Sequence, residues 1–189
     1  MTEKLTTITW QDPNHIVRPS WVEATRIALK QDMQKYKKDE SGKGSYHFGI
    51  SVMKMARLVL IAEYLNEPKL AQEGRDWLKK EIEPWLSNTN SNKLYYDTTN
   101  GGIITDLSMP GAIENAINKR YDNHHHNYGY VVYAAAVLGK GDSGFLNKYY
   151  EQLMYYVRDY ANPNPKDKYF PLIRHLDCYS GHTWSGGLA

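Results

Sequence analysis

Apolar residues return every three to four positions along most of this chain, and short polar breaks separate one such run from the next. Pro19 and Ser20 open the first run, which places Val22, Leu29, Met33 and Tyr36 on one helical face. It stops at "DESGKGS", Asp39 to Ser45. A second helix is predicted from about Tyr46 to Leu65, where Phe48, Val52, Met55, Val59, Ala62 and Leu65 share a stripe. The third begins at Pro68 and carries Leu70, Trp77, Leu78, Ile82 and Trp85, with Pro84 expected to distort its last turn. After the polar loop "SNTNSN" the period changes. Leu94 to Thr98 and Gly102 to Thr105 read as two short β pieces joined by "TNGG" turn chemistry.

Farther on, Tyr128 to Leu138 is apolar nearly all round, the pattern of a helix enclosed by neighbours, and Gly139 and Gly141 are expected to stop it. Leu146, Tyr149, Tyr150, Leu153, Val157 and Tyr160 mark a further amphipathic helix, closed by the prolines of "ANPNPKDK". The tail reads as extended chain and loop. The pattern therefore predicts a mainly α domain over 19–189, with short β-like connections and aromatic-rich loops, behind an irregular N-terminal segment over 1–18.

Charge and composition narrow the function classes. Lys+Arg 23 against Asp+Glu 21 gives +2, which lacks the basic stripe of a nucleic-acid binder. The local cluster of Lys35, Lys37 and Lys38 is followed at once by Asp39 and Glu40, as at a solvated helix end. The longest apolar run, Tyr130 to Leu138, is too short for a bilayer span of about 20 residues. The first residues lack the apolar stretch of a secretory signal, and a single cysteine, Cys178, excludes an internal disulfide. Sixteen tyrosines and five tryptophans stand against three phenylalanines. Rings with a polar tip suit surfaces half dry and half wet, sugar-binding clefts among them, although a core built with Tyr in place of Phe has the same composition.

Candidate chemistry concentrates at "RYDNHHHNYGY", Arg120 to Tyr130. Three adjacent histidines point in different directions, so a single metal ion would have to use His124 and His126 with Asp122 or Asp97. A polar loop capping the next helix is a second reading. Acid chemistry on sugars is a third: two carboxyl groups flank a glycosidic bond, and neighbouring histidines hold hydroxyls and tune the acid. Polar groups suited to that task gather in three stretches: Asp97 and Thr98, Asp122 to His126, and Arg174, Asp177, His182 and Trp184.

The stretch "RYDNHHHNYGYVVYAAAVLGK" resembles the signature of glycoside hydrolase family 81, the inverting endo-β-1,3-glucanases, which commonly runs Tyr-Asn-Asp-His-His-Phe-His-Tyr-Gly-Tyr. "VRDYANPNPKDKYFPLIRHLDCYSGHTWSGGLA" is similar to that family's Arg-Asp-Ile-Ala-Asn-Pro, Phe-Pro, Arg-x-x-Asp and Gly-His-Ser-Trp-Ala-x-Gly-Leu elements. "EPWLSNTNSNKLYYDTTNGGIITD" matches its Tyr-Asp…Gly-Gly passage. Several ordered motifs, from about Tyr46 to the end, carry the likeness.

The resemblance implies part of an (α/α)6 toroid whose cleft is built from loops at the inner-helix ends. It implies hydrolysis of internal bonds in β-1,3-glucan with inversion and without a cofactor or a metal. On this reading Asp122 and Asn123 occupy the catalytic positions. Tyr96, Asp97, Thr98, His124, His125, Tyr128, Arg174, Asp177, His182 and Trp184 would touch substrate. The partner is a β-1,3-glucan, with no nucleic acid and no membrane. Full-length relatives are often secreted, while this chain shows no signal of its own.

Two departures qualify the likeness. Aligning Tyr128-Gly129-Tyr130 puts Asn123 at the family's general-acid aspartate and Asp122 where the family has asparagine. An amide cannot donate a proton as a carboxylic acid does. The family's general-base glutamate lies beyond the Gly-His-Ser-Trp element, past Ala189. The expectation is a chain incomplete or weakly active by itself, the alternative being a non-catalytic β-1,3-glucan-binding module or degenerate fragment. Half a toroid would also leave an apolar face open, to be covered by self-association or by a C-terminal half.

Overall fold

A computed structural model describes residues 18–37, 44–105 and 117–184. The expected irregular segment before Pro19 and most of the Asp39–Ser45 loop lie outside these residues. Among the described residues five long helices form the body: α1 (Pro19–Lys37), α2 (Ser45–Tyr64), α3 (Pro68–Leu86), α4 (His124–Gly141) and α5 (Ser143–Ala161). A hairpin, β1 (Leu94–Asp97) with β2 (Gly102–Thr105), joins the first three to the last two, and a two-residue pair, β3 (Leu176–Asp177) with β4 (His182–Thr183), lies in the tail.

Helices α2 and α4 make the central contact; α1 and α3 lie against α2, and α5 lies against α4. The stripe predicted for α2 is the core: Phe48, Val52, Met55, Val59 and Ala62 are buried, and Ala56 and Leu58 add a second buried side. Leu78, Ile82 and Trp85 of α3 close on it, with the Trp85 ring stacked on Phe48 at 4.5 Å. Each large apolar side chain so enclosed contributes about 1.5–3 kcal/mol. Pro68 stands in the first turn of α3, where a missing N–H costs nothing. Pro84 does not end that helix; its carbonyl accepts from the Thr89 N–H at 2.8 Å.

Two boundaries differ from the expectation. Helix α4 begins at His124, four residues before Tyr128, so the histidines belong to its first turn and not to a loop. The Asn123 carbonyl receives the N–H groups of His126 and Asn127, at 3.0 and 2.9 Å, and this starts the helix early. Gly139 does not stop α4. It faces Leu146, whose side chain occupies the space a Cβ would need, so the glycine allows close approach of α5. The tail, expected as extended chain and loop, pairs two short extended pieces as β3–β4.

Helix α4 is also less enclosed than its composition suggested. Tyr133 is 38% exposed and Ala136 is open. On α2, Tyr46, Ile61 and Tyr64 are exposed as well. Among the described residues α4 has neighbours on only part of its circumference, which leaves apolar surface uncovered. No helix among them is long and apolar enough to cross a membrane.

Candidate active site

The first turn of α4 is held by a buried polar network. His124 has no exposed surface. Its Nε2 lies 2.7 Å from the Asn118 carbonyl, which can only accept, so Nε2 carries a hydrogen. Its Nδ1 lies 2.5 Å from Oδ2 of Asp159, on the last turn of α5. The other Asp159 oxygen accepts the Ile103 N–H of β2 at 2.7 Å. Tyr128, one turn along α4, donates its hydroxyl to the Ile103 carbonyl at 2.7 Å and accepts from Asn118 Nδ2 at 3.2 Å. Asn118 Oδ1 accepts the Thr105 N–H at 2.8 Å. Two helices and the first hairpin are thus joined with almost every lone pair and proton used, as burial requires.

Above this network sits Tyr121. Its hydroxyl donates to Asp97 Oδ2 at 2.9 Å, and the Arg174 guanidinium lies 4.0 Å over its ring. Arg174 donates to the carbonyls of Gly101 (2.6 Å), Asn100 (3.1 Å) and Asp159 (3.2 Å). Gly102 makes this convergence possible. A Cβ there would meet the Tyr121 ring, and would lie 2.6 Å from Asp159 Oδ1 and 2.7 Å from Arg174 Nη2. Burial alone would raise the Asp97 carboxyl. Hydrogen bonds from Asn100, Thr99 and Tyr121 outweigh it and hold the group below the usual carboxylate range. Burial, and then the bond to Asp97, push the Tyr121 phenol well up.

Between Tyr121 (φ 63°) and Asn123 (φ 59°), both left-handed, lies Asp122. Such a backbone costs about 1–2 kcal/mol per non-glycine residue and persists only where the surroundings fix it. Here the fixed points are Tyr121 and His124, both buried on either side. The half-buried Asp122 carboxylate makes no hydrogen bond with another described residue, and its charge acts on His125.

His125 extends the site toward the tail. Its ring lies 5.3 Å from that of His175, and His125 Nδ1 and His175 Nε2 are both buried without a hydrogen-bond partner. Burial first, then the histidines and Arg174 nearby, hold His175 down at about 4. Burial and the neighbouring His126 and His124 likewise lower His125.

The structure therefore brings Asp97, Asp122, Asn123, His124, His125, Tyr128 and Arg174 into one neighbourhood, but not in one role. His124 and Tyr128, expected to touch sugar, have no open face; burial makes them supports of the turn that carries Asp122. Arg174 is spent on backbone carbonyls, and does not pair with Asp177. Asp177, His182 and Trp184 form a cluster of their own. Asp177 accepts the Trp184 indole N–H at 2.9 Å and the Tyr179 N–H at 2.9 Å, and the His182 and Trp184 rings lie 4.3 Å apart. The Trp184 backbone N–H reaches the His175 carbonyl at 3.2 Å, which ties this cluster to the histidines. Tyr96 and Thr98 turn the other way, into a groove of about 900 Å3 between β1, α3 and α5. Among the described residues no three His, Cys, Asp or Glu side chains are placed to hold a metal ion.

Asn118, Tyr121, Asp159 and His175 were not among the expected site residues. Asp159 carried a legible signal: it falls in the buried register of α5 after Phe145, Tyr149, Leu153 and Tyr156. A lone acid on an apolar stripe needs a buried partner. Nothing local marks Asn118 or His175.

Residues 17–189 match the family described as glycosyl hydrolase family 81 C-terminal domain. A glucan endo-1,3-beta-D-glucosidase of Glycine max is 40% identical over 146 residues, covering 76% of this chain and 22% of that protein. The primary septum glucan endo-1,3-beta-D-glucosidase of Schizosaccharomyces pombe is 33% identical over 147 residues, covering 76% and 14%. The glycoside hydrolase family 81 protein from Clostridium thermocellum superposes with a TM-score of 0.70 at 24% identity, over 88% of this chain and 23% of that one. That likeness is one of fold, and fits a helical, toroid-like architecture. The chain spans less than a quarter of the length of these relatives. With the family match running through nearly all of it, this chain belongs to glycoside hydrolase family 81.

Proposed function

We propose that the chain serves endo-hydrolysis of β-1,3-glucan, and that it supplies the acid-side wall of an inverting two-carboxylate site. The relatives named above as glucan endo-1,3-beta-D-glucosidases support the substrate class. One observation carries the local assignment. Asp122 holds a half-buried carboxyl, without a hydrogen bond among the described residues, at the tip of a turn whose backbone is fixed by a fully buried network. A proton donor needs that combination of a free carboxyl and a fixed position. His125 stands beside it as a group that can bind a sugar hydroxyl, while Asn123, an amide, can orient but not donate. An inverting reaction places its second carboxylate roughly 6.5–9.5 Å away with water between. Needing only those two carboxylates and water, the reaction requires no cofactor.

The experiment is incubation of the purified chain with laminarin and measurement of reducing ends. Weak turnover that disappears in Asp122→Ala is the expected result, since the second carboxylate is not among the residues assigned here; turnover that survives the substitution would mean a different acid and overturn the assignment. Asn123 at the aligned acid position favours a second reading, a glucan-binding module without catalysis. Saturable binding of laminari-oligosaccharides in calorimetry, with no reducing ends released, would select that reading.

A further inference from the structure

The groove beneath the first hairpin is a separate surface: none of Asp122, His125, Arg174 or Trp184 lines it. Its volume of about 900 Å3 falls in the range of ligand sites, roughly 300–1,000 Å3. Rings of fixed orientation form its walls. Tyr155 and Phe170 lie within 20° of parallel, and Tyr96 meets Phe170 edge-on at 5.6 Å. The Tyr96 hydroxyl donates to the Tyr169 carbonyl, which holds that ring in place. Even so, Tyr95, Tyr96, Tyr155 and Tyr169 remain 50%, 42%, 45% and 64% exposed.

Two observations select the chemistry of the occupant. The first is charge. Among the described residues Arg158 is the only charged one in the lining, and Asp167 neutralises it through two bonds of 2.8 and 2.9 Å while Phe170 lies 4.6 Å beneath its guanidinium. A neutral groove fits an uncharged ligand and gives nothing to a phosphate or an acidic peptide. The second is an orphan. Gln152 lines the groove, and its Oε1 is buried without a hydrogen-bond partner. A ligand that lays C–H faces on rings and donates a hydroxyl to a buried acceptor satisfies both, and a pyranose does so.

We infer that this groove is a second glucan-binding surface, which holds a stretch of the uncharged polysaccharide away from the acid-bearing turn. The inference rests on the functional reading above for the identity of the polysaccharide. Its geometry is independent of Asp122.

Calorimetric titration of the whole chain with laminarihexaose tests it. In Tyr155→Ala/Tyr169→Ala the groove component is expected to weaken at least about tenfold, since two rings are lost. Tyr155→Phe/Tyr169→Phe keeps the faces and should stay within about twofold. Gln152→Leu should weaken binding while raising the melting temperature, because an unpaired buried acceptor is removed. A merely structural glutamine would not divide the two readouts in this way. Asp122→Ala should leave the groove component in place.

Binding unchanged in the tyrosine pair, or no binding by the parent chain, overturns the inference. So does a change of molar mass in light scattering with the tyrosine pair, which would make the groove a protein interface. The hydrolytic reading fails separately. Binding lost in the tyrosine pair, with no Asp122-dependent release of reducing ends from laminarin, removes that reading and leaves the groove standing.

Discussion

Two aspartates organise two polar clusters in this chain, and both accept several hydrogen bonds. Asp159 receives His124 and the Ile103 N–H with no exposed surface, whereas Asp177 receives the Trp184 indole and two backbone N–H groups in an open hairpin. The bond counts are similar, but the consequences differ. Water can replace any partner lost by Asp177. It cannot reach those of Asp159, so each loss there leaves a desolvated group unpaired. Burial converts an ordinary set of hydrogen bonds into a fixed scaffold for the Asp122 turn.

The largest test of that difference is Asp159→Ala. It leaves His124 Nδ1 and the Ile103 N–H without partners in the dry interior, and a loss of about 3–5 kcal/mol is expected in denaturant unfolding. Asp177→Ala in parallel should leave the unfolding midpoint within error. Equal effects would end the distinction between the two clusters.

The next test uses pH. His175 titrates at about 4 in the folded chain against an ordinary value of 6.5. The unfolded chain therefore binds a proton that the folded chain refuses over that window. Stability should be full above pH 6.5, fall as pH drops toward 4, and level off below, by up to about 3 kcal/mol from this residue. Unfolding curves at pH 7, 5.5 and 4 check it. In His175→Gln the slope should shrink; an unchanged slope would place the protonation elsewhere.

Packing gives a third. Gly102→Ala pushes a methyl against Tyr121, Asp159 and Arg174 together, all anchored by the network. About 1–3 kcal/mol of destabilisation is expected, the range for overpacking. Any laminarin turnover should fall as well, since Tyr121 leads directly into Asp122.

These stakes also explain what could be read from the sequence. The helical stripes of α2, α3 and α5 were legible because each repeats a local period, and Val52, Val59, Leu78 and Leu153 are buried as their spacing requires. The hairpin was legible from turn residues, and Gly101 takes the positive φ of 64° that its turn needs. The candidate site was legible as a neighbourhood but not as a division of labour. "DNHHHNYGY" gives no sign that His124 turns inward and His125 toward the tail. That choice is made by Asp159 and His175, 35 and 50 residues farther on. Arg174 is similar: a motif can mark it, but only tertiary contact shows its guanidinium spent on three carbonyls.

The smallest effect expected is at Asp177 itself, and it sharpens the comparison from the exposed side. Hydrogen bonds from Trp184, Ser180 and Tyr179 hold its carboxyl well below the ordinary range. A depressed carboxylate supports the folded hairpin above the unfolded value and loses that support only as pH falls through the lower, folded one. The Trp184 indole N–H resonance should therefore keep its bonded position down through pH 4, where an ordinary carboxylate would be half protonated. In Asp177→Asn the global midpoint should not move, while that resonance shifts at every pH toward the position of a solvated indole. A hairpin that opens in step with the rest of the chain, with His175 protonating at the same pH, would show that the contact of the His175 carbonyl to the Trp184 backbone N–H and not Asp177 holds it closed.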